Sequence, residues 1–204
     1  TGVNGANPCS FIPFGSNDDT WSLVSGPPAC VITSPSALFP CGSQCCQSSP
    51  CWPGLSTGPA IVDATPSTGW TGQFSCSRWI GPRLPSPLQS NVDCSPTGDW
   101  SYKSCFCLKH GFQNASLSFQ LYTDNEAKVF LINGSPLSPQ LLVDVPPSFL
   151  VPPPAHYPWQ SGYSTSVAVP RQLFADGSNC IEVLVHNSGG PTGFNLTGQF
   201  TAEN

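Results

Sequence analysis

The chain contains no methionine and little charge: only 8% of its 204 residues are Asp, Glu, Lys or Arg, about a third of the usual share. The six basic residues, Arg78, Arg83, Lys103, Lys109, Lys128 and Arg171, never cluster, so there is no electrostatic footprint for nucleic acid. No apolar run approaches the roughly 18 residues of a spanning helix, and no membrane insertion is expected. C-x-x-C pairs are missing, and the three histidines, His110, His156 and His186, lie far apart, which argues against a zinc or redox centre. Gly54-Leu55-Ser56-Thr57-Gly58 has the G-x-S-x-G spacing, but no helical pattern follows it, so it does not read as the strand-to-helix elbow of a serine nucleophile. Among the acids, Asp124, Glu126 and Asp176 sit at turns, where such side chains satisfy local backbone groups. The chain is therefore read as non-enzymatic. Nor is there an amphipathic helix of useful length, in keeping with 24 prolines and 19 glycines.

Cysteine is what the chain has in abundance. The stretch CGSQCCQSSPC, residues 41–51, holds four cysteines in eleven positions. Its C-x3-C-C-x4-C spacing does not suit zinc, and its Ser, Gly and Pro content suits an irregular loop held by crosslinks. The disulfide candidates are Cys9, Cys30, Cys41, Cys45, Cys46, Cys51, Cys76, Cys94, Cys105, Cys107 and Cys180. Because eleven is odd, one thiol is left over, either as a buried free cysteine or as an intermolecular bridge. Cysteine usage and the absent initiator together point to a processed amino terminus and a secreted, extracellular or cell-surface location. Glycans or burial in an assembly would keep so weakly charged a surface in solution.

Residues 1–14 (TGVNGANPCSFIPF) lack periodicity and read as an extended N-terminal arm. Residues 15–204 read as one β-sandwich domain, with a disulfide-stapled Cys-rich insertion at 30–51 and a Pro-rich loop at 136–159. TWSLVS (20–25) is a candidate first strand, and AIVDA (60–64) and SRWIGP (77–82) are apolar islands. In ASLSFQLYT (115–123), Leu117, Phe119 and Leu121 alternate with Ser116, Ser118 and Gln120, the pattern of a half-buried strand. EAKVFLI (126–132) follows the turn pair Asp124-Asn125, and Asn133-Gly134 is a strong hairpin signal. SYKSCFCLKH (101–110) puts Tyr102, Phe106 and Leu108 on one side and Cys105 and Cys107 on the other. NCIEVLVHN (179–187) turns Ile181, Val183 and Val185 inward, and GFNLTGQFT (193–201) groups Phe194, Leu196 and Phe200. The fold class is thus all-β, an antiparallel jelly-roll or β-sandwich.

The order GSNDDTWSLVSGP, SRWIGP, SYKSCFCL, ASLSFQLYTDNEAKVFLING and LFADGSNCIEVLVHNSGGPTGFNLTGQF resembles the galactose-binding-like jelly-roll sandwich over about residues 15–201. A Trp-containing early strand, a W-I strand, an A-D-N…N-G hairpin and a late G-x-N strand recur in that family. The chain departs from the pattern in its 30–51 insertion, in Thr123-Asp124-Asn125 and in the 136–159 loop. The resemblance implies a sandwich used to bind glycans or to serve as a non-catalytic surface module. Asn17-Asp18-Asp19 and Asp176-Gly177-Ser178-Asn179 are oxygen-rich, and because the family sometimes holds a structural calcium near its early loops, Asp18 and Asp19 are the candidate ligands; no other cofactor is implied. VPPSFLVPPPAHYPW (145–159), together with repeated Ser-Pro pairs, is similar to hydroxyproline-rich extracellular matrix glycoproteins, which implies hydroxylated, O-glycosylated prolines.

Asn114-Ala115-Ser116, Asn195-Leu196-Thr197 and Asn133-Gly134-Ser135 are N-glycosylation acceptor sequences. Asn195, on the face opposite Phe194 and Leu196, is expected to point to solvent. Trp21 and Trp79 are expected in the core. Trp70, Trp100 and Trp159 lie in Pro/Gly contexts and are candidate sugar platforms. Two functions follow. The first is a structural subunit that assembles with copies of itself or with other matrix glycoproteins into an extracellular filament, wall or matrix. The second is a lectin-like carbohydrate-binding module.

Overall fold

The computed structural model describes residues 3–4, 7–11, 17–26, 58–62, 74, 77, 79–82, 97–135, 138–146, 163–165, 169–188 and 192–203. The whole Cys-rich 30–51 insertion, the greater part of the Pro-rich loop, Trp70 and Trp159 lie outside these residues. The strands are β1 (Val3–Asn4), β2 (Asn7–Phe11), β3 (Asn17–Ser25), β4 (Gly58–Val62), β5 (Ile80–Gly81) and β6 (Gly98–Leu108). They continue with β7 (Gln113–Asp124), β8 (Glu126–Asn133), β9 (Gln140–Val145), β10 (Tyr163–Thr165), β11 (Gly177–Asn187) and β12 (Gly193–Glu203). A 3-10 turn, Arg171–Leu173, precedes β11.

The described strands form two antiparallel sheets. One is the small pair β1–β2, so the amino-terminal arm turns back on itself as a hairpin, with Val3 opposite Phe11. The other runs β10-β7-β12-β5-β4-β3-β6-β11-β8-β9. Within it, β12 and β6 are separated by β5, β4 and β3, which in a flat sheet would hold them about 19 Å apart. Yet Phe194 of β12 meets Tyr102 of β6 at 5.0 Å between ring centroids, and Phe200 meets Phe106 at 4.6 Å. The sheet therefore folds over at the short strands β4 and β5, and the two layers of a sandwich face each other.

The core lies between these layers, and the period-2 pattern of the sequence fills it. Leu117, Phe119 and Leu121 of β7 pack with Tyr102, Leu108, Val183, Val185 and Phe194. Trp21 lies edge-on to Phe194 at 5.1 Å. Trp79 is buried elsewhere. Phe74, Ser77 and Trp79 lie on the outer face of β7 and β12, with Phe74 and Trp79 against Tyr122 at 4.5 and 6.2 Å and Ser77 against Asn195.

Two expected turns are built differently. Asp124-Asn125 does not make a hairpin, because β7 pairs with β10 and β12 whereas β8 pairs with β11 and β9. The pair carries the chain from one layer to the other. Asn125 anchors this crossing: its N–H donates to His186 O, and its Oδ1 accepts from Ser188 N at 2.8 Å. Asn133-Gly134 is likewise no two-residue hairpin, since Leu131 pairs with Gln140 and β9 begins only at Gln140. The Asn133 side chain starts that loop by accepting from Ser135 N at 2.9 Å, an Asx turn that replaces the tight one.

Candidate functional site

Alternation along β6 sends Trp100, Tyr102 and Leu108 inward, and Cys105 and Cys107 outward as exposed residues. On the neighbouring strand β11, Cys180 stands directly opposite Cys105, with Cα atoms 4.0 Å apart, and the two form a disulfide. Cys107 stands opposite Ser178 on the same outward face and is a free thiol. Three sulfurs thus share one patch of surface. Two are closed on each other and one is open.

Most of the charge of the described strands lies on this same face. Glu182 Oε2 is 3.5 Å from Lys103 Nζ, and its Oε1 accepts from the Ser101 hydroxyl. Farther along, His186 Nδ1 donates to Asp99 Oδ1 at 2.7 Å, with Glu126 Oε1 3.9 Å from Nε2. These groupings follow from the register, which sets Glu182 opposite Lys103 and His186 between Asp99 and Glu126. Cross-strand neighbours of this kind contribute roughly 0.2–1 kcal/mol each. At the far end of the strands, His110 Nδ1 donates to Asp176 Oδ2 at 2.6 Å, and Arg171 lies 4.0 Å above the Phe112 ring.

The three acceptor asparagines meet different fates. Asn114 is exposed at the start of β7, and its amide donates to Glu203. Asn195 is on the outer face of β12 as its register requires, but it is completely buried, and its Oδ1 accepts from the Ser77 hydroxyl. The expectation that Asn195 faces solvent is corrected: Ser77, itself buried, lies against it, and a glycan has no room there. Asn133 is half-buried and donates from Nδ2 both to Leu173 O at 2.8 Å and to Asn179 Oδ1 at 2.9 Å. Both of its amide hydrogens serve the fold.

Trp100 also departs from expectation. It is 0% exposed, in the core beneath Gly26, where a Cβ would lie 2.4 Å from the indole Cε3. Trp100 is no sugar platform, because the inward phase of β6 and not its Pro/Gly surroundings decides where the indole goes. Asp18 and Asp19 fall within β3, not on a loop, and their side chains lie outside the described residues. Among the described residues, no group of three or more His, Cys, Asp or Glu side chains is placed to hold a metal ion.

The sequence reading missed the amide hub of Asn133 and Asn179 and the cluster at His186. The first had no local signal, and the second is visible only in the register. Together the fold and this face define an antiparallel β-sandwich with a cross-strand disulfide and an adjacent surface thiol. No family model, curated protein or solved structure matches the chain. Among the described residues, no helix is long and apolar enough to cross a membrane.

Proposed function

We propose that this chain is a secreted, glycosylated, non-enzymatic structural subunit that self-assembles into an extracellular filament, wall or matrix. The observation that carries the reading is the sulfur patch, where an exposed free Cys107 lies beside the closed Cys105–Cys180 pair. Setting these three aside leaves eight of the eleven cysteines, an even number that can pair among themselves. The odd thiol then falls at Cys107, on the surface. Two copies joined there form a Cys107–Cys107 disulfide, passing two electrons and two protons to a small-molecule disulfide that is reduced to two thiols.

The motif order that resembles galactose-binding-like sandwiches supports a non-catalytic surface module, though fold likeness alone does not assign a ligand. The low charge and the proline-rich loop, similar to that of hydroxyproline-rich matrix glycoproteins, favour a matrix setting. The lectin-like reading loses one of its three platforms with the burial of Trp100.

Negative-stain microscopy and light scattering of the native, glycosylated material test the proposal. Ordered polymers are expected, dispersing on mild reduction and in the Cys107→Ser variant, which should lose essentially all of the reducible joint. A clean monomer throughout would overturn the subunit reading. Glycan mapping by mass spectrometry should find Asn114 occupied and Asn133 and Asn195 bare. An occupied Asn195 would contradict the packing around Ser77.

A further inference from the structure

Among the described residues, the large sheet ends on β9, which pairs with β8 alone. Such an edge offers backbone N–H and C=O groups to any strand that can reach them. Pro139 and Pro146 bracket it, and since proline has no N–H they confine added pairing to the strand between them.

The register of β9 against β8 slips where Val129 is opposite Val143 but Phe130 is opposite Leu141. Leu142 is the extra residue of a bulge. Val143 and Val145 are buried, Leu142 packs on the same core, and Gln140 stands opposite buried Leu131. Leu141, 44% exposed, and Asp144 occupy the other face. From 140 to 145 the faces read in, out, in, in, out, in. Reversed, the order is the same.

A strand with a palindromic face pattern matches an antiparallel copy of itself at every position. We propose that β9 is a homotypic docking edge, to which a second copy of this chain adds its own β9. Gln140 then faces Val145 of the partner subunit, Leu141 faces Asp144 of the partner subunit, and Leu142 faces Val143 of the partner subunit. No like charges meet in this register, and the inner row continues the apolar layer across the joint. A strictly alternating strand from another protein would match only half of the edge, because a one-residue slip sends side chains to the wrong face. The joint is two-fold and closes a pair. It rests on the structural-subunit reading for its use: alternating β9 pairs with Cys107 bridges makes an open-ended polymer from one chain.

The test is sedimentation equilibrium of the full chain in a Cys107→Ser background at low salt. Leu141→Asp sets a carboxylate against Asp144 at both ends of the joint and should weaken the pair roughly 2- to 30-fold, while Leu141→Lys should strengthen it by a similar factor. Leu141 is exposed, so both variants should keep the wild-type circular dichroism. A monomeric Cys107→Ser chain, or equal affinity in both variants, overturns the docking edge. A monomer with strong amide protection at 140–145 overturns it as well, showing that the chain's own loop covers β9. The two proposals fail separately. Native polymers indifferent to Leu141 remove the edge and leave the subunit, whereas charge-sensitive pairs from material that never polymerises do the reverse.

Discussion

Replacing Trp100 with alanine lowers the unfolding free energy by about 3–5 kcal/mol, the usual cost of removing a fully buried aromatic side chain. The indole sits on β6 opposite Val185 of β11 and is completely buried. Gly26 approaches it so closely that a Cβ there would lie 2.6 Å from Cζ3. Backbone on one side and the neighbouring strand on the other leave little freedom to collapse, so a cavity remains. Urea denaturation followed by circular dichroism measures the loss, and Trp100→Phe should recover part of it. A change below about 1 kcal/mol would mean that the side chain is not in the core. The result also bears on function. Any loss of sugar binding in Trp100→Ala would reflect unfolding, leaving Trp70 and Trp159 as the informative positions for the lectin-like reading.

Asn179→Ala is expected to cost about 3–5 kcal/mol, because the side chain satisfies several groups at once and each one left unpaired costs about 1–3 kcal/mol. Its Oδ1 accepts from Ala175 N and from Asn133 Nδ2, both at 2.9 Å. Its Nδ2 donates to Ala175 O at 2.7 Å and to Gly177 O at 3.1 Å. The amide ties the turn before β11 to the end of β8, and it is fully buried. Asn179→Asp keeps the shape but sets a carboxylate against two carbonyl oxygens. Its folded pKa is raised above the unfolded value, so the penalty is least in acid and grows as the pH rises through the folded pKa. Urea midpoints at about pH 4 and about pH 7 should therefore differ more for Asn179→Asp than for Asn179→Ala. Parallel pH profiles would mean that the carboxylate finds another donor.

The strand faces were legible without coordinates. Leu117, Phe119 and Leu121, then Ile181, Val183 and Val185, then Phe194 and Leu196 all lie where alternation puts them. So do the outward sulfurs of Cys105 and Cys107. The pleat makes orientation a property of one strand, set by its neighbours in sequence. Pairing between strands is not local in this sense. Asp124-Asn125 reads as a turn pair, yet the strands it joins lie in opposite layers, because the partners of β7 and β8 lie far along the chain. The composition of Asn133-Gly134 suits a tight turn, but its side chain was drawn into a network with Leu173 and Asn179.

Asn195 shows the boundary most clearly. Its sequence position determined its face, and the structure keeps that face. Only the tertiary fold decided that the face is covered, by a hydroxyl that is 118 residues away in sequence. Period and parity are written in the chain, and from them come an all-β domain, outward sulfurs and one odd thiol. Burial depends on which distant segment arrives, and that follows from the packing of the whole molecule.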